Sequence, residues 1–371
     1  MDRTLVALGA SILTACASSP KSTSDEPPPP QSGPLRPDQI LTILQRSAIM
    51  YDLDSETVVR ATDIGSVVEE VELPRRPVDP YFEVVRGDDG QRQLKTSRPP
   101  SAVAPLFREA DLAFAAKEFD AALALYGEAV SRAPGYFKGH TFLGNTQFFL
   151  GEYDKAEQSF LRALELNPLD YQAYMFLGQT YVEQGRSQLA KRALIHAFML
   201  NRANPVVQRG LRRALAPFQQ RIRHDRLSPR IRIGRDDKGH VHLQLDKQRG
   251  MRWLALATCL ACWAYEDDCN RRGPESEDPL HLSMYRECLI NQAASIAIRN
   301  DQSRGVSANE RILLSAIEDG FLDAIVIWEV VAQRLPAVVL LLPDRLRSSI
   351  LDYIDRYVIV STRLALLERS N

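Results

Sequence analysis

A chain of 371 residues, once an export signal is removed, has room for two or three domains, and 45% hydrophobic with 25% charged residues is ordinary for a soluble globular protein. A formal net charge of −1 supplies no global field that selects nucleic acid or an acidic surface. Of the 46 basic residues only 8 are Lys, none after Lys247, an Arg bias that reflects genome composition more than chemistry.

Residues 1–16 read MDRTLVALGASILTAC, with Arg3 ahead of an apolar run (5–13) far too short to span a bilayer. The run ends in Leu13-Thr14-Ala15-Cys16, which resembles a bacterial lipobox. That resemblance implies a signal peptide over 1–15 and acylation of Cys16. It places the chain outside the cytoplasm, most simply on the outer membrane facing the periplasm, away from nucleic acid. Alkyl chains buried at about 0.8 kcal/mol per CH₂ anchor such a protein without a transmembrane helix. The plainer alternative is a secretory signal with a chance Cys at its end. The rest of 16–37 is Ser/Pro-rich without apolar periodicity, so it cannot repay the entropy of folding. It reads as a tether that reaches roughly 60 Å at about 3.1 Å per residue.

Residues 38–100 are the least legible. Ile40, Leu41, Ile43, Leu44 and Ile49 predict a short amphipathic helix started by Asp38. Residues 67–73 are β-prone, and 81–90 followed by 91–96 read as a strand, a Gly/Asp turn and a return strand. The whole is expected to be a small α+β or irregular arm.

From Val103 to Arg202 one pattern is written three times, with small residues 34 apart (Ala110, Gly144, Gly178; Ala122, Ala156, Ala190; Ala129, Ala163, Ala197). Aromatics such as Tyr126, Tyr153 and Phe160 and the prolines Pro134 and Pro168 recur in the same register. The pattern resembles the tetratricopeptide (TPR) helix-turn-helix repeat. Glu109 departs from it where the family prefers Leu, Ser187 where an aromatic is usual, and Arg202 where Pro is usual. Small residues let the two helices of a repeat approach closely, and aromatics fill the gap to the next repeat.

Residues 203–229 carry Val206, Val207, Leu211, Leu215, Phe218 and Ile222 at helical spacing, as expected of a helix that caps such an array. They also lie in an Arg-dense stretch that includes Arg202, Arg209, Arg212, Arg213, Arg223, Arg226 and Arg230. That stretch reads as a solvated face, with contact to an anionic envelope polymer as the alternative.

Residues 230–371 are expected to form one domain of a β-hairpin and about four helices. Ile231 and Ile233 alternate with Arg, 235–239 makes a turn, and Val241, Leu243 and Leu245 alternate on the return. His240 and His242 share the opposite face and read as solvent-facing rather than metal ligands. Residues 251–266 predict an apolar core helix, 279–298 a second, and Ser307 with Glu310 a capping box for a third. Pro343 suits the first turn of the last helix, whose inner face carries Leu346, Ile350, Ile354, Tyr357 and Val358. An even number of cysteines in an exported chain favours disulfides among Cys259, Cys262, Cys269 and Cys288. Cys259 and Cys262 lie one helical turn apart and are expected to pair with the other two rather than with each other. A Cys₄ zinc site or a redox pair is the alternative.

The fold class is therefore mainly α: a TPR helical-hairpin solenoid, then a mostly helical C-terminal domain with one β-hairpin. No nucleophile elbow, zincin motif, P-loop or dinucleotide fingerprint is present. No catalytic residue, metal, cofactor or small-molecule substrate is expected. In the TPR family the second, fifth, ninth, twelfth and thirteenth positions of each first helix line a concave groove. The resemblance carries these onto Phe107, Asp111 and Phe114, onto Lys138, Thr141, Asn145, Phe148 and Phe149, and onto Met175, Gln179 and Val182. The family's carboxylate clamp for acidic tails is matched only at Asn145. An aromatic floor with amides suits an apolar peptide, with rings taking side chains and amides the backbone. The arm over 38–100 could itself fill the groove. Function is thus read as a lipid-anchored scaffold for protein–protein interaction or assembly in the bacterial envelope. The alternatives are an enzyme with its site in the C-terminal domain and a structural lipoprotein that binds polymer through Arg.

Overall fold

The structure is a computed structural model that describes residues 34–53, 78, 80–88, 90, 92–223, 231–245, 250–270, 282–301 and 305–362. Cys16, most of the tether and the β-prone segment 67–73 lie outside the described residues. Elements follow in chain order: α1 (Pro37–Arg46), β1 (Tyr51–Asp52), β2 (Phe82–Arg86), β3 (Arg92–Thr96), α2 (Ala104–Ala115), α3 (Phe119–Arg132), α4 (Phe137–Phe149) and α5 (Tyr153–Leu166). Next come α6 (Tyr171–Glu183), α7 (Ser187–Leu200), α8 (Pro205–Leu215), β4 (Gln220–Ile222), β5 (Ile231–Arg235), β6 (Val241–Leu245), α9 (Leu254–Tyr265), α10 (Asp267–Asn270), α11 (Leu282–Asp301) and α12 (Ala308–Glu318). The chain ends with α13 (Leu322–Ala324), a π-helical stretch Ile325–Val331, α14 (Ala332–Arg334), α15 (Val338–Leu341), α16 (Asp344–Tyr353), a π turn Ile354–Val358 and β7 (Ile359–Ser361).

The described residues of 1–72 and 227–330 make one unit, and those of 73–226 and 331–371 a second. The single domain expected over 230–371 is therefore divided near Val330, and the expected arm over 38–100 near Glu72. In the first unit, β5 and β6 pair antiparallel from Ile231↔Leu245 to Arg235↔Val241, and β1 adds to β6 in parallel. The turn forms because the Asp236 carboxylate accepts from the backbone N–H groups of Lys238 (2.9 Å) and His240 (2.8 Å). Helix α9 has no polar face to show, so it is buried from Leu256 to Trp263 and packs against α11, α1 and the hairpin. Disulfides Cys259–Cys288 and Cys262–Cys269 tie it to α11 and α10. The capping box at Ser307 and Glu310 is present, with Glu310 also paired to Arg299 at 2.5 Å.

In the second unit α2 to α7 are three helical hairpins. A Cβ on Gly144 would lie 2.8 Å from the Phe160 ring, and one on Gly178 would lie 2.4 Å from Leu194. Those positions are small because a larger side chain has no room. Glu109 is exposed on α2. Helix α8 caps the third hairpin, with the Asn204 side chain accepting from the N–H groups of Val206 and Val207. The capping helix is shorter than its sequence pattern predicts. It stops at Leu215, because Pro217 has no N–H to continue the ladder, and Gln219 turns the chain at φ +52°. Ile222 therefore lies in β4, which pairs antiparallel with β7. The apolar faces of α15, α16 and the π turn pack on α7, and Lys191 pairs with Asp355 at 2.7 Å. This is why the chain after Val331 joins the repeats.

Candidate functional site

The turn before α6 is completed by side chains of α4, so the first helices of the second and third repeats meet there. At the N-terminal end of that face the structure builds a closed polar cluster. Asp170, the N-cap of α6, accepts from the Gln172 N–H (3.0 Å), the Lys138 ammonium (2.8 Å) and the Thr141 hydroxyl (2.6 Å). Lys138 also donates to the Gln172 side-chain oxygen at 3.0 Å. Lys138 and Asp170 are both fully buried, and a charge survives there because its opposite is beside it.

The β2–β3 hairpin and the residue before it close this end. The Tyr81 ring meets Phe142 edge-on at 6.3 Å and lies 5.7 Å from the Lys138 ammonium. The Asn167 side chain donates to the Phe82 carbonyl at 3.1 Å. Phe107 and Met175 are buried as well. Four of the expected groove residues, Phe107, Lys138, Thr141 and Met175, are thus interior residues. Among the described residues, the chain's own arm meets the face at this end; residues 54–77 of the arm expected to fill the groove lie outside the described residues.

Among the described residues, the other half of the face is the more exposed. Asp111 is exposed; burial, and then the hydrogen bond that Tyr126 donates to Asp111, push the Tyr126 hydroxyl well above its ordinary value. Asn145 and Gln179 are half-buried in the equivalent positions of the next two repeats, and among the described residues the buried Asn145 Oδ1 has no hydrogen-bond partner. Beside them is an aromatic cluster. Phe149 stacks on Phe119 at 5.3 Å and meets Phe114 at 5.5 Å and Phe148 at 5.7 Å, while Phe148 meets Tyr153 at 5.6 Å. Phe114 and Phe148 are partly spent on this packing, yet Phe149 keeps 53% of its surface exposed. Val182 is half-buried at the far end, where Glu183 pairs with Arg213 at 2.9 Å.

The remaining candidates lie elsewhere. In the first unit His242 is not solvent-facing: it is 7% exposed, with Nε2 3.2 Å from Asp236 and Nδ1 3.9 Å from Asp52, its register partner on β1. Desolvation of the Asp236 carboxyl is outweighed by hydrogen bonds from His240, His242 and Lys238, which hold it below the usual range. Among the described residues no group of three His, Cys, Asp or Glu is arranged to hold a metal. Each of Cys259 and Cys262 pairs outside the Cys-x-x-Cys. Of the Arg-dense stretch, Arg202 and Arg223 are buried, Arg213 is in its ion pair and Arg212 donates to Gln208. Arg226 and Arg230 lie outside the described residues.

Sequence reasoning missed Tyr81 and Asp170. The acid directly before an apolar helix start was a signal for the N-cap, whereas nothing in the sequence brings Tyr81 to Lys138. No helix among the described residues is long and apolar enough to cross a membrane.

No curated protein matches the chain. Among solved structures, it is similar to the TPR domain of Arabidopsis OM64 (20% identity, TM-score 0.30, covering 30% of this chain and 93% of that one). It is also similar to the Sgt2 TPR domain from Aspergillus fumigatus (24%, 0.31, 32% and 81%) and to TPR2B of yeast Sti1, solved as a complex with pHsp70 (17%, 0.30, 32% and 99%). The tetratricopeptide repeat family profile matches residues 143–195, which lie within the three helical hairpins of this mainly α fold.

Proposed function

We propose that this protein is a lipid-anchored scaffold of the bacterial cell envelope that holds an extended peptide of a protein partner in the more exposed half of its repeat groove. The observation that carries the peptide reading is the half-exposed Phe149 ring in the aromatic cluster of the concave face. An exposed aromatic there offers apolar area to a side chain. The anchor rests on the Leu13-Thr14-Ala15-Cys16 sequence and the Pro-rich segment after it. Two disulfides are in keeping with an oxidising compartment.

Affinity capture from envelope extracts with wild type and Phe149→Glu tests the groove. Because Phe149 also packs on Phe119, Phe114 and Phe148, the variant is expected to lose some thermal stability, keep its helical circular dichroism at the capture temperature and lose the partner. Identical partner lists would remove the groove from the account. Metabolic labelling with a radioactive fatty acid tests the anchor: wild type should label and Cys16→Ala should not, and equal labelling of both contradicts it.

A further inference from the structure

His242 stands between two carboxylates that come from different parts of the first unit. Its Nε2 lies 3.2 Å from the Asp236 carboxylate, in the turn of its own hairpin, and its Nδ1 lies 3.9 Å from the Asp52 carboxylate on β1. A carboxylate only accepts, so a neutral imidazole that donates from Nε2 to Asp236 turns the lone pair of Nδ1 toward Asp52. Acceptor then faces acceptor, and among the described residues the buried Nδ1 has no hydrogen-bond partner. A protonated ring donates from both nitrogens, and each donor has a carboxylate in front of it.

Little else holds β1. Among the described residues it pairs with β6 over two positions, Tyr51↔Val241 and Asp52↔His242. The Val241 N–H donates to the Met50 carbonyl at 2.8 Å, and the Tyr51 hydroxyl donates to Glu266. The other charges around the ring are engaged elsewhere or turned outward. His240 Nδ1 lies 3.7 Å from Asp236, and Arg252, ahead of α9, pairs with Glu310 at 3.5 Å. On β5 the residue opposite His242 is Gly234; Arg232 and Arg235 are exposed, and Arg235 donates to the Gly239 carbonyl. The buried stretch of α9, Leu256 to Trp263, carries no charge. We propose that His242 is a proton-operated clasp: protonated, it bridges Asp236 to Asp52 and holds β1 on the sheet, and neutral, it lets Asp52 go. The clasp tightens in acid and loosens as the pH rises through the imidazole range. It stands apart from the peptide reading above, since all its members lie in the first unit.

Hydrogen exchange of the Val241 amide in the full-length chain reads the docking of β1, because that N–H is bonded to Met50. The Gln244 amide, which by strand alternation faces β5, is the control. Imidazoles titrate near pH 6.5, so measurements at about pH 5 and about pH 7.5 sample the two states. Asp236, held below the usual carboxyl range, stays charged at both. After correction for intrinsic exchange and relative to the control, wild-type Val241 protection should fall about two- to fivefold from the lower pH to the higher, the scale of a partly exposed ion pair. The Asp52 side chain is 45% exposed, so Asp52→Asn leaves the core closed. Its new carboxamide donates to the neutral ring, and the fall should vanish or reverse. His242→Gln should give equal protection at both pH values, whereas His240→Gln should keep the wild-type fall. No fall in wild type, a fall that persists in Asp52→Asn or in His242→Gln, or one abolished by His240→Gln overturns the proposal.

Discussion

Lys138 carries a full charge into the interior of the repeats because Asp170 is already fixed there as the N-cap of α6. Removing one member strands the other, at a cost of about 3–5 kcal/mol. Asp170→Ala is therefore expected to lower the urea midpoint far more than the double variant Asp170→Ala/Lys138→Met. Equal losses would mean the pair is not coupled. At the fifteenth position of the repeats, Gly151 and Gly185 adopt φ +77° and +74°, and Lys117 is held at +64°. A side chain in that conformation costs about 1–2 kcal/mol, so Lys117→Gly should stabilise the first hairpin by about 1 kcal/mol in chemical denaturation. Destabilisation would show that the Lys side chain supplies something the turn needs. The glycines of repeats two and three were legible because a tight turn admits few residues. The burial of Lys138 was not, since a lysine at a groove position in sequence reads as a ligand for acids.

Among elements, the capping box of α12 was fully legible, because Ser307 and Glu310 act on each other across one turn. Burial pushes the Glu310 carboxyl up, but hydrogen bonds from Ser307 and Arg299 outweigh it and hold it below the usual range. Glu310 thus stays charged in the folded chain at pH values where the unfolded chain protonates it. Its contribution is complete above about pH 4.5 and is lost as the pH falls through the depressed value. Acid titration of thermal stability should show a shallower decline for Glu310→Gln than for wild type; parallel curves contradict the assignment. Helix α9 depends on a longer link: Cys259–Cys288 closes 29 residues between α9 and α11. Cys259→Ser/Cys288→Ser is expected to cost about 3 kcal/mol in the full chain, checked by thermal unfolding, and no change would mean the thiols are not joined. The β4–β7 pairing and the seat of α16 on α7 were out of reach of the sequence, because both depend on contacts between residues more than a hundred positions apart. The early end of α8 was within reach: Pro217 was there to be read, and the apolar spacing through Ile222 outweighed it.

For the whole molecule, the repeat register gave the mainly α solenoid, since periodic small residues constrain helix packing wherever they occur. Which half of the concave face remains usable depended on where the β2–β3 hairpin came to rest, and periodicity carries no record of that. The central claim is that a partner peptide lies on the more exposed half, over Phe149. A photo-crosslinking residue placed at Phe149, with one at Leu161 on α5 as a solvent-exposed control, tests it most directly, because Leu161 lies outside the groove positions and is 42% exposed. The account predicts a partner adduct from position 149 in envelope extracts and none from position 161. An adduct from 161 alone, or equal adducts from both, would contradict it.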